Sequence, residues 1–170
     1  QEAVKGSDII SHPEGDVASL ALNMIENPIA ILGPDELLPV INRFKNQLNE
    51  NSARFARIGV FPEMNHNESV AWGGVGDDQD PESSNQALII LSWDGIHSRV
   101  VQRMDWFVSN CPTELSWSIH GDGESLLECF MHLCIMTDWL SIALALLHGK
   151  DPSAIEPIQS LKDYLSQINQ

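Results

Sequence analysis

Three charged side chains in this sequence could move protons: Glu50, His66 and Lys162. Glu50 stands in "QLNENS", at the end of a segment whose Val40, Ile41, Phe44 and Leu48 recur at helical spacing. A carboxylate at the negative end of a helix is disfavoured as an anion, which suits a general base; the same place also suits a solvated glutamate at a frayed helix end. His66 stands in "FPEMNHNE", a few residues beyond the apolar run "ARIGVF". That puts it near the carboxyl edge of a sheet, where open α/β folds gather ligands, although Asn65, Asn67 and Glu68 could equally hold a loop histidine in a turn or helix cap. Lys162, in "SLKDYL", borders the apolar stripe of a C-terminal segment, where a lysine ordinarily lays its stem on the core and sends its ammonium to water.

The elements that must position these groups alternate in type. "VASLALNMIE" has helical spacing, and "PIAILG" after it is a short apolar run stopped by Gly33 and Pro34, as expected of a buried strand. Pro39 fits the first turn of a helix that is expected to run to about Glu50. "ARIGVF" is a second strand ending at Pro62, followed by a loop with a helical turn through Trp72. "GGVGDDQDPESSNQ", residues 73–86, lacks apolar periodicity apart from Val75 and is expected to be mobile, either a lid or an insertion. "ALIILSW" is a third strand, Ile96 to Val108 a helix, and "ELSWSIH" a half-buried fourth strand. Strands alternating with helices predict an α/β three-layer sandwich, with a parallel sheet of about four to five strands flanked by helices. Within this unit Glu50 and His66 stand at either end of one helix–strand–loop segment, which is expected to bring them together.

Two long apolar helices close the chain. Residues 124–148 approach the length of a membrane span, but Glu128, His132 and Asp138 fall inside, so a helix sandwiched between the sheet and another subunit is expected instead. After "GKDP", residues 155–168 carry Ile155, Ile158, Leu161, Leu165 and Ile168 along one stripe. Residues 1–15, polar and punctuated by Gly and Pro, are expected to be a linker or the remnant of an inter-domain segment, with one domain over residues 16–170.

Composition narrows the partners. The 170 residues carry 9 Lys plus Arg against 24 Asp plus Glu, a formal net charge of −15, so nucleic acid and anionic membranes are poor partners. An anionic substrate must be drawn in by local donors or by a partner chain. Cys111, Cys129 and Cys134 form no CxxC pair, and with no signal-like start they point to a reducing, cytoplasmic setting. The histidines lack metal-ligand spacing, no G-x-S-x-G supports a serine hydrolase, and "GGVGDD" is not a GxGxxG phosphate loop. "DDQDPE" lacks the glycine and terminal glutamate of a calcium loop.

"QLNENS", "FPEMNHNE" and "DWLSIALALLHGKDPSAIEPIQSLK", with "GDVASLALNMIENPIAILG" before them, together resemble the C-terminal domain of the bifunctional phosphoglucose/phosphomannose isomerases, members of the sugar isomerase (SIS) superfamily. The resemblance covers residues 16–170 in order. It implies a flavodoxin-like SIS fold and aldose–ketose isomerisation of glucose 6-phosphate, with mannose 6-phosphate a further candidate, through a cis-enediol. It implies that Glu50, in the N-E-N context, is the base between C1 and C2. His66 would open the sugar ring and Lys162 would assist at the ring oxygen, with no metal or organic cofactor. Full members of that family have two SIS domains, the N-terminal one supplying an S-x-S-G-x-T phosphate loop and an arginine that this chain lacks. The resemblance therefore implies a partner domain, or else a non-catalytic sugar-phosphate-binding or dimerisation module. Related isomerases build each site from two subunits, the histidine crossing from the neighbour, which implies a homodimer paired through the 124–148 helix.

Overall fold

Alternate residues of the central strands point to opposite faces of one sheet, and this alone divides the core in two. In the computed structural model, which describes residues 7–168, the strands are β1 (Ile29–Pro34), β2 (Ala56–Phe61), β3 (Ala87–Trp93) and β4 (Ser116–Gly121). They are all parallel, in the order β2-β1-β3-β4. Ile31 of β1 stands between Ile58 of β2 and Ile89 of β3. Ile29, Ile31, Ala87, Ile89 and Leu91 face one layer of helices; Ala30, Leu32, Leu88 and Ile90 face the other.

The first layer holds α1 (Asp16–Met24), α2 (Leu38–Ser52) and α5 (Leu126–Leu147), which place Met24, Phe44, Leu48, Leu133 and Leu144 against the sheet. The second holds the short α3 (Glu68–Trp72) and α4 (Ser98–Asn110), where Phe61, Trp72 and Phe107 meet edge to face. Helices on both faces of a parallel sheet make the expected three-layer α/β sandwich, with four strands. The last helix, α6 (Glu156–Ile168), has no buried residue in this chain.

Several boundaries differ from expectation, each for a local reason. α2 runs past Glu50 to Ser52 because Asn51 donates to Ser141 Oγ (2.8 Å) and Ser52 Oγ to the Leu48 carbonyl (2.8 Å). It stops where Ala53 turns left-handed (φ 54°) and the Ala53 and Arg54 amides return to that carbonyl. Residues 73–86, expected to be mobile, are anchored. The Asp80 amide donates to the Ala71 carbonyl (2.8 Å), Asn27 donates to the Asn85 carbonyl (3.0 Å), and Thr113 Oγ1 to that of Gln86 (2.7 Å). Gly74 adopts φ 84° against the Asn110 carbonyl, where a Cβ would lie 1.5 Å from the oxygen, so this glycine serves packing. In the segment expected as linker, Ile9 packs on the first core layer. Asp8 accepts from Ser11 Oγ (2.7 Å) and the Ile10 amide (2.9 Å), bonds that hold its carboxyl below the usual range.

α5 is long and apolar enough to cross a membrane, with a mean hydropathy of 1.8. It nevertheless buries Cys129, Leu133, Leu140, Ala143 and Leu144, and its start is fixed by a reciprocal cap between Ser125 and Glu128. Leu127 and Met131, 70% and 58% exposed, lie on its outer side.

Candidate functional site

Parallel strands joined by helices send every helix back to the sheet's amino edge and leave every strand-to-helix turn at the carboxyl edge. Glu50, in the last turn of α2, therefore lies at the amino edge beside the start of β2, with its side chain exposed. Asn51 pins that turn to α5. Lys150 Nζ donates to the carbonyls of Glu50 (3.1 Å), Asp151 (3.1 Å) and Ala154 (3.3 Å). One ammonium thus neutralises the negative end of α2 and fixes the segment that leads into α6.

Arg54 secures the same edge from the other side. Its guanidinium donates to the carbonyls of Ile25 and Asn27 and meets His148 Nε2 at 2.6 Å, so three chain segments are tied behind Glu50. Asp151, at the start of the α6 connection, accepts from the Ser153 hydroxyl (2.7 Å) and amide (2.8 Å), and its carboxyl is held below the ordinary range. Lys162 is exposed on α6, about 9 Å along the axis from Glu156 at 1.5 Å per residue. The connection into the helix that carries Lys162 thus starts at the edge that holds Glu50.

His66 lies away from that edge. It ends the 3₁₀ turn Glu63–His66 after β2, at the carboxyl edge, and is exposed. Asn67 caps α3 by accepting from the Glu68 amide (2.6 Å), and Glu68 pairs with Arg57 (2.6 Å), which lies over the Trp72 ring. Between Glu50 and His66 lies the whole of β2, whose six residues span about 20 Å. The expectation that one helix–strand–loop unit brings them together is therefore corrected: the strand between them holds them at opposite ends. Within one chain no site contains both.

Other residues fall outside the three candidates. Lys150 and Arg54 support the Glu50 edge through contacts far apart in sequence, and only "GKDP" after a long helix hinted at a capping cation. At the carboxyl edge His120 Nδ1 lies 3.1 Å from Ser92 Oγ and its Nε2 3.3 Å from Asp94, beside a cavity of about 780 Å³. The Asp94 side chain is 94% exposed, so it cannot hold the imidazole as the buried acid of a nucleophilic triad does. Among the described residues no group of three or more His, Cys, Asp or Glu is placed to hold a metal ion.

Residues 14–165 match the model of the bacterial phospho-glucose isomerase C-terminal SIS domain. The chain belongs to this family. It is 32% identical over 133 residues to a bifunctional phosphoglucose/phosphomannose isomerase of Aquifex aeolicus, covering 75% of this chain and 39% of the relative. The like-named protein of Thermoplasma volcanium is 27% identical over 156 residues, covering 92% of this chain and 48% of the relative. The chain thus spans less than half the length of these two curated relatives. Among solved structures, a glucose-6-phosphate isomerase like protein from Thermus thermophilus superposes with a TM-score of 0.64 at 16% identity, over 82% of this chain and 46% of that one. The C-terminal domain of a glucosamine-fructose-6-phosphate aminotransferase from Francisella tularensis gives 0.65 at 12% identity, over 88% and 43%. At such identities these two structures attest the SIS fold.

Proposed function

We propose that this SIS domain is the C-terminal half of an aldose–ketose isomerase that interconverts glucose 6-phosphate, and as a second aldose mannose 6-phosphate, with fructose 6-phosphate. The observation that carries the reading is the separation of Glu50 and His66 to opposite edges of the sheet. A site needing both must draw its histidine from a second subunit, the arrangement the family resemblance implies. Each chain then offers Glu50 and Lys162 to its own site and His66 to its neighbour's.

The chemistry divides along the same line. The Glu50 carboxylate takes the proton from C2 of the open aldose, leaving a cis-enediolate with its charge on O1; a proton passes from O2 to O1 through the cis-enediol, and Glu50 returns its proton to C1 to give the ketose. Ring opening is a separate transfer between oxygens: the imidazole of His66 gives a proton to the ring oxygen and recovers one from the anomeric hydroxyl. The Lys162 ammonium stabilises negative charge as it develops at the ring oxygen. The phosphate is held by a second domain, and the exposed rows of α5 and α6 supply apolar surface for it and for a second copy of this chain.

Glu50→Gln in protein carrying both halves is the test. Loss of a general base predicts a fall in kcat of roughly 10²–10⁴-fold. Because Glu50 is exposed and its side chain makes no hydrogen bond among the described residues, stability should change by less than about 0.5 kcal/mol. Full activity in this variant eliminates the assignment. A sugar-phosphate-binding module without catalysis is the second reading. Assay with the other domain present separates them: the half-enzyme then interconverts glucose 6-phosphate and fructose 6-phosphate, and the module does not.

A further inference from the structure

α4 presents Arg99, Gln102, Arg103 and Trp106 at the spacing i, i+3, i+4, i+7, which puts them on one stripe of the helix. That stripe and Asn65, the neighbour of His66, line a cavity of about 590 Å³. No carboxylate lines it, in a chain where acids outnumber cations 24 to 9. The other three arginines are all engaged: Arg43 with Asp138 (2.6 Å), Arg57 with Glu68 (2.6 Å) and Arg54 with backbone carbonyls. Arg99 has only the neutral Gln102 Oε1 (3.1 Å), and Arg103 has no hydrogen bond or ion pair among the described residues. Two guanidinium groups four residues apart on a helix repel one another, and among the described residues neither is paired with an acid. Asn65 adds an uncommitted amide, its Oδ1 buried with no partner among the described residues. Trp106 leaves half its surface in water at 51% exposure, an apolar plate beside two cations.

We propose that this cavity binds a phosphate monoester. The phosphoryl oxygens lie between Arg99 and Arg103, which offer forked donors matched to them. The carbon body lies against the Trp106 ring, with the Asn65 amide turned to donate to it. The cavity lies beside His66, at the edge of the sheet opposite this chain's own Glu50, and its binding can be read without the isomerase reaction. It is a second site beside the one where the other domain holds the substrate phosphate, and its ligand is either a further molecule of the isomerase's sugar phosphate or another phosphorylated metabolite; the shared chemistry is a phosphate dianion on a hydroxylated carbon chain.

The test uses this chain alone, so it does not depend on isomerase activity. The indole N–H signal of Trp106, assigned with Trp106→Phe, is followed by NMR during titration with inorganic phosphate, fructose 6-phosphate and ribose 5-phosphate, with chloride at matched ionic strength as control. The expected result is saturable movement with all three phosphates, tighter for the sugar phosphates than for inorganic phosphate, and weakened roughly tenfold or more in Arg99→Gln and in Arg103→Gln. An unchanged buried Trp72 indole signal in these variants shows that the fold is intact. A preference for fructose 6-phosphate over ribose 5-phosphate assigns the site to the isomerase substrate, and equal affinity to phosphorylated metabolites at large; both outcomes support it. No saturation in the millimolar range, equal response to chloride, or undiminished binding in the variants overturns the proposal. So does a Trp106 signal that moves with protein concentration and not with phosphate, since the stripe is then a contact between chains.

Discussion

At the scale of single residues, the asparagines around Glu50 and His66 do different work from the groups they flank. Asn51 ties the end of α2 to Ser141, and Asn67 caps α3, so each fixes backbone near a candidate proton carrier. The residue types of Glu50, His66 and Lys162 were legible in sequence because each stands in a distinctive local context. Their distribution over two edges was not, because it follows from the direction of β2, and a stretch of sequence does not display which end of a strand its neighbours occupy. The cysteines allow a prediction at this scale. Burial, with Asp94, Glu128 and Asp122 nearby, pushes the Cys129 thiol up. A raised value leaves the unreactive thiol in place at neutral pH, with thiolate forming only as pH rises through it. In native protein near pH 8, Cys129 should therefore resist a thiol-directed disulfide reagent and react promptly once denatured; rapid native labelling contradicts its placement.

The elements were legible where burial is two-sided. "ALIILSW" is β3 to the residue, because a continuous apolar run bounded by polar clusters has few other homes in a parallel sheet; "ARIGVF" is β2 to the residue although it lies at the sheet's edge and carries the exposed Arg57, because Pro62 stops it. Helix ends were harder to place, since distant partners set them: Ser141 for the end of α2, and Arg54 with His148 for the return to β2. The loop of residues 73–86 misled for the same reason, as Thr113 and Asn110, far along the chain, hold it. Ala53 offers a test of the helix end beside Glu50. Its left-handed φ of 54° costs a residue with a Cβ more than it costs glycine. Ala53→Gly should raise stability by about 0.5–1 kcal/mol, read from denaturant midpoints. A loss of stability contradicts that backbone reading.

At the scale of the whole molecule, apolar surface remains to be covered. On α6, Leu161, Tyr164 and Ile168 are 56%, 61% and 59% exposed, and the outer side of α5 adds Leu127 and Met131. That the C-terminal segment is an amphipathic helix was legible from its spacing; that none of its described residues is buried was not, because periodicity states which face is apolar and not what lies against it. We expect the isolated chain to self-associate through these rows, and Leu161→Glu to weaken association roughly tenfold or more in sedimentation equilibrium, since burying a leucine contributes about 2 kcal/mol. Unchanged association in that variant removes α6 from the interface.

The division of one active site between two subunits is the claim on which the functional account rests, and mixing two inactive variants tests it most directly. In protein carrying both halves, Glu50→Gln and His66→Ala are each expected to be inactive alone. Co-expressed, they form mixed dimers in which one site pairs an intact Glu50 with an intact His66 from its neighbour. Random pairing makes half the dimers mixed with one working site each, so activity should recover to about a quarter of the native value. A mixture as inactive as its parents would contradict the account.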